Sequence, residues 1–125
     1  MIQEVAGKHI PMNYDLEERL IKFASSIIDV TENLPNTSAN LHLAGQLLRS
    51  GTAPALMYGE AQAAESRKDF IHKMKVALKE LRESSINLKI LHSRNIHVES
   101  LQVILKENLE LITIFVKSIK TASSS

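Results

Sequence analysis

Apolar residues recur at alternating steps of three and four along most of the chain, and that rhythm restricts the fold to packed helices. Between residues 67 and 94, Phe70, Met74, Ala77, Leu81, Ser84, Leu88 and Leu91 step 4, 3, 4, 3, 4, 3. This spacing keeps one stripe of a helix turned to its neighbours, whereas a half-buried strand needs a step of two. Leu16, Leu20, Phe23, Ile27 and Val30 repeat it as 4, 3, 4, 3 in a first helix. Leu101, Leu105, Ile112, Val116 and Ile119 mark a last one, flanked by Ile104, Leu109 and Phe115. That final surface is wider than one seam requires. Aromatic residues are only 4% of the chain and tryptophan is absent, so the core is expected to be aliphatic.

The boundaries carry their own signals. Asp15 reads as a cap of the first helix, with Glu18 reaching back to it. Pro35 stops that helix and biases Leu34 toward extended backbone. Ser66 reads as the N-cap of the third helix, with Asp69 at its third position. Asn95 suits a left-handed ending, with Ile96 folding back as an apolar contact.

The second helix is the difficult one. Residues 49–70, RSGTAPALMYGEAQAAESRKDF, crowd Gly51, Pro54 and Gly59 into a helical pattern. Leu41, Ala44, Leu48, Gly51, Ala55 and Tyr58 continue the steps of three and four through these breakers. One continuous helix, kinked near Pro54, is the favoured reading; a true break at 51–54 and five helices is the alternative. An interior proline costs ~3 kcal/mol and a glycine roughly 1 kcal/mol against alanine, which packing must offset. Ser50, Gly51, Ala53 and Ala55 are small enough to admit a close neighbour.

Connections at about 34–37, 65–66 and 95–97 are short. Short links favour antiparallel neighbours, hence an all-α, up-down-up-down four-helix bundle. The expected organisation is an N-terminal arm at 1–13, one bundle domain at 14–121 and a frayed tail at 122–125. No apolar run approaches the ~20 residues that cross a bilayer. The chain has no cysteine, which excludes disulfides and thiolate chemistry and agrees with a cytoplasmic setting.

Little here assembles into a catalyst. The glycines do not form GxxxxGK[ST], and GTAPALMYG follows no strand. A di-iron bundle needs two Glu-x-x-His pairs and two further carboxylates. Asp69-Phe70-Ile71-His72 is a single loose analogue, and Asp69 is better explained as part of a cap. His9, His42, His92 and His97 show no ligand spacing. Ser84 and Ser85 lie near a core seam, where bonding the preceding turn of backbone is the ordinary role. No catalytic, cofactor-binding or metal-ligating residue is assigned. Arg49 and Glu60, eleven residues apart, return to nearly the same face. With Gly51 they are candidates for structural or interface roles, bonding across helices or subunits, unless each simply reaches to water.

The formal net charge is +1, but it is unevenly spread. Residues 14–33 carry two basic and five acidic side chains, a net of −3. Residues 67–94 carry eight basic and three acidic ones, a net of +5. Lys68, Lys75, Lys79 and Arg82 fall at steps of 7, 4 and 3, a basic stripe beside the seam. Such a stripe can neutralise phosphates; an ordinary solvated face is the plainer reading. Several copies around a symmetry axis would strengthen its field.

The segment LLRSGTAPALMYGEAQAAESRKDFIHKMKVALKELRES, residues 47–84, resembles the four helix bundle protein family, also called the 23S rRNA intervening-sequence or S23-like proteins. RSGT, EAQAAES and KDFIHK carry the likeness. Arg49, Ser50, Gly51, Glu60, Ala61, Gln62, Ser66, Asp69 and Phe70 match its pattern. Met57 stands where an asparagine is usual, Gly59 where arginine or alanine is common, and Pro54 lies one position from the family's frequent proline. The resemblance implies a left-handed bundle that assembles into a ring, typically a pentamer. It also implies kinship with accessory subunits of diversity-generating retroelements, where a basic pentamer engages nucleic acid and a reverse transcriptase. The sequence therefore reads as a non-enzymatic homo-oligomeric bundle that binds RNA or DNA through the third helix. The alternative is a protein-interaction scaffold without nucleic acid.

Overall fold

The structure, a computed structural model, describes residues 12–96 and 98–124. It contains four helices: α1 (Met12–Glu32), α2 (Ser38–Gln62), α3 (Arg67–Ser93) and α4 (Val98–Ser123). Each helix packs on the next, and α4 returns to α1 along the sparsest of the four seams. Successive helices run antiparallel. Arg49 of α2 reaches Glu80 and Glu83 of α3, while the later Glu60 meets the earlier Lys73. Across one diagonal of the bundle, Tyr58 of α2 stands edge-to-face on Phe115 of α4, ring centroids 6.1 Å apart.

The ends follow side-chain chemistry. Thr37 accepts from the Asn40 N–H at 3.1 Å and opens α2; Ser66 accepts from the Asp69 N–H at 3.0 Å and opens α3. Both hydroxyls satisfy a donor that a helix start leaves without a backbone partner. Asn95 adopts φ 58° and the Ile96 N–H returns to the Leu91 carbonyl at 3.4 Å, closing α3 as its sequence predicts. α1 begins at Met12, so Asp15 sits within the first turn, where it suits the positive helix end, instead of capping it. The expected arm falls outside the described residues up to position 11. α4 continues to Ser123, into the segment expected to fray.

The seams of α1 and α3 lie where their spacing puts them: Leu16, Leu20, Phe23, Ile27 and Val30 are buried, as are Met74, Ala77, Leu81, Ser84, Leu88 and Leu91. α2 is one helix across Pro54, which excludes the five-helix alternative. Its seam differs from the expected one. Asn40, Leu47, Ser50, Gly51, Pro54, Tyr58 and Ala61 face inward, while Leu41 is 69% exposed and Leu48 36%. In α4 the interior row is Leu101, Ile104, Asn108, Leu111 and Phe115; Leu105 and Ile112 flank it, and Val116 is exposed.

Gly51 marks the tightest approach of α1 to α2. A Cβ there would lie 2.7 and 2.8 Å from the two γ carbons of Ile27. The α2–α3 seam is close and polar. The Ser84 hydroxyl donates to Ser50 Oγ at 3.1 Å, and Asn87 Nδ2 approaches the same oxygen at 3.4 Å. These groups are buried and satisfy one another, as buried polar groups must.

Candidate nucleic-acid interface

The basic stripe lies on the face of α3 opposite its core seam, not directly beside it as its spacing suggested. Lys68, Lys75, Lys79 and Arg82 are all exposed. From Lys68 to Arg82 the helix rises about 21 Å at 1.5 Å per residue. Lys79 lies 3.6 Å from Glu83, one turn on. Among the described residues Lys68, Lys75 and Arg82 make no ion pair. Leu78 and Ile86 floor a shallow depression between Lys75, Lys79, Arg82 and Glu83, with Ile86 57% exposed. No aromatic ring lines it, so it offers cations and aliphatic contact but no surface on which a base could stack.

Arg49 and Glu60 both turn toward α3. Arg49 donates to Glu80 at 2.9 Å and to Glu83 at 3.0 Å; Lys73 donates to Glu60 at 2.9 Å. The hydrogen bond from Arg49 holds the Glu83 carboxyl below its ordinary range, with Lys79 adding a smaller pull. The acidic partners Glu80 and Glu83 thus neutralise α2's arginine and leave the outer row of α3 cations largely to solvent. Sequence reasoning did not pick out Glu80, Glu83 or Lys73. Antiparallel packing was the available signal, since it sets residues near 49 opposite those near 80 and residues near 60 opposite those near 73.

On the opposite side of the bundle, Arg19 grips Glu107 through Nε at 3.0 Å and Nη2 at 2.7 Å, and Glu110 through Nη2 at 2.9 Å. These bonds raise the Arg19 pKa and bridge α1 to α4. No group of three His, Asp or Glu residues among the described ones could hold a metal ion. His42 and His72 are exposed; His9 and His97 lie outside the described residues. No helix of the described residues is long and apolar enough to cross a membrane.

Comparison with known proteins places this architecture. No curated protein matches the chain. A crystal structure of a protein of unknown function from the S23 ribosomal protein family of Bacteroides thetaiotaomicron superposes with a TM-score of 0.78 at 31% identity. The match covers 84% of this chain and 98% of that one. The model of the 23S rRNA-intervening sequence protein family matches residues 12–117, which takes in α1, α2, α3 and most of α4. The chain belongs to that family.

Proposed function

We propose that the chain binds RNA or DNA through the phosphate backbone, with the outer face of α3 as the contact surface. The observation that carries this reading is the row of Lys68, Lys75, Lys79 and Arg82, exposed along one face and paired only at Lys79 among the described residues. Cations held free of carboxylates exchange condensed counterions for phosphates, which favours binding without regard to sequence. The absence of an aromatic platform and of any base-reading motif supports contact with phosphates and sugars. One copy contributes few contacts and a net charge of only +1, so useful affinity needs several stripes in one assembly, as the ring of its look-alikes would supply.

Titration of a fluorescent single-stranded RNA at several salt concentrations tests this. Binding should weaken with salt, at a slope of log K on log salt of about −2 to −3 per engaged copy. The triple substitution Lys75→Glu, Lys79→Glu, Arg82→Glu should abolish it while helix content stays unchanged. RNA binding that survives the triple change would overturn the proposal. Absence of RNA binding by the intact protein would leave the scaffold reading, which the uncharged outer face of α2 favours.

A further inference from the structure

The carboxylate of Glu83 sits where an incoming phosphate would be held. Its Oε1 accepts from Arg49 Nη2 at 3.0 Å, and its Oε2 lies 3.6 Å from Lys79 Nζ. One acidic group thus bridges a guanidinium of α2 and an ammonium of α3, with an oxygen for each. A phosphodiester also presents two anionic oxygens on one centre, and arginine's planar fork fits either group.

Two features set this bridge apart from an ordinary surface pair. Arg49 is anchored independently of Glu83: its Nη1 donates to Glu80 at 2.9 Å. The Glu80 side chain is only 12% exposed, whereas that of Arg49 is 58% exposed. Withdrawal of Glu83 would therefore leave the guanidinium tethered at one nitrogen and open to solvent at the other. Glu83 is also the sole acid, among the described residues, around the depression that Lys75, Lys79 and Arg82 border. Its own side chain is half-buried and keeps its charge at neutral pH, because the Arg49 hydrogen bond holds the carboxyl below its ordinary range. Water screens both of its ion pairs, so exchanging this carboxylate for a phosphate costs little.

Resting on the reading of the outer face of α3 as a phosphate contact, we infer that Arg49 and Lys79 form a two-cation phosphate clamp shared by α2 and α3. Glu83 occupies the clamp as an internal competitor until nucleic acid displaces it. The competitor favours polymers. A lone phosphate meets a carboxylate already in place. A strand engaged by Lys75 and Arg82 delivers its next phosphate to the clamp at high effective concentration.

The same RNA titration, made on Glu83→Gln, tests this. Glutamine keeps the shape of the side chain and removes its charge. Glu18→Gln, at an exposed position of α1, makes the same change in net charge away from α3 and serves as the control. Glu83→Gln should bind roughly fivefold tighter than wild type at ~0.1 M salt, with a steeper salt slope, and Glu18→Gln should stay near wild type. The gain from Glu83→Gln is then measured again in Arg49→Gln and Lys79→Gln backgrounds, each checked for unchanged helix content. It should shrink by half or more in both, since the clamp has lost an arm. Repulsion through space alone predicts the opposite, a larger gain, because Glu83 has then lost a neutralising partner. An undiminished gain in these backgrounds therefore overturns the clamp. So does a Glu83→Gln variant no tighter than Glu18→Gln while wild type binds, a result that leaves the phosphate reading of α3 standing. Binding by neither wild type nor Glu83→Gln overturns both. Binding by Glu83→Gln alone supports the clamp, with the competitor outmatching that RNA in the intact protein.

Discussion

Single residues in this bundle show how context reverses propensity. Glycine is a poor helix former, yet Gly51 is held by Ile27, whose γ carbons occupy the space a side chain would need. Gly51→Ala should destabilise the protein by about 1–3 kcal/mol, despite alanine's better helix propensity, because Ile27 must leave its position. Urea denaturation followed by circular dichroism measures this. Tyr58 gives a pH-dependent counterpart. Burial, with a smaller push from Glu17, lifts its phenol to about 12. An unfolded tyrosine titrates near 10. A raised folded pKa leaves stability intact below pH ~10 and removes it as the pH climbs toward 12, since the unfolded chain releases the proton first. Tyr58→Phe should therefore make the fall of stability over that interval shallower by one proton, read from denaturation midpoints at successive pH values.

Among the elements, legibility followed how many faces of a helix are apolar. α1 and α3 are apolar on one side and polar on the other, so only one register satisfied their pattern. Lys68, Lys75, Lys79 and Arg82 could be placed on one outer face for the same reason. α2 offered two apolar stripes, and the outer one, with Leu41 and Leu48, is the more hydrophobic. The inner one runs through Asn40, Ser50 and Pro54, residues that hydropathy assigns to solvent. Ser50 is inside because α3 meets it with Ser84 and Asn87, a complementarity between distant segments that no local pattern shows, while Asn40 is satisfied within the α1–α2 turn by donating to the Pro35 carbonyl at 2.8 Å. α4 repeats the difficulty: Asn108 is fully buried and donates to the Leu81 carbonyl at 3.2 Å, interrupting a row that looked apolar only one step away. Local signals were sufficient where the partner is the chain's own next turn, as at Ser66. Ser66→Ala should cost about 1 kcal/mol and shorten α3 at its start, visible as faster amide exchange at Asp69.

At the scale of the whole molecule the four seams are unequal. α2–α3 is close and cross-linked by hydrogen bonds, whereas α1–α4 is the sparsest and relies on Arg19 with Glu107 and Glu110. Arg19→Met should destabilise the bundle by ~1 kcal/mol, a modest figure because the group is partly exposed and its pairs are screened. Amide exchange in α1 should rise more than in α3, since α1 loses its ionic tie to Glu107 and Glu110 of α4 across the weakest seam. α1 and α3 sit on opposite corners of the bundle with their backbones out of contact, and their charges differ in sign. A rod so built has an electric moment directed across its width rather than along its length. Near any polyanion it experiences a torque that rolls it about its long axis until α3 leads, so the molecule is oriented before it touches what it approaches.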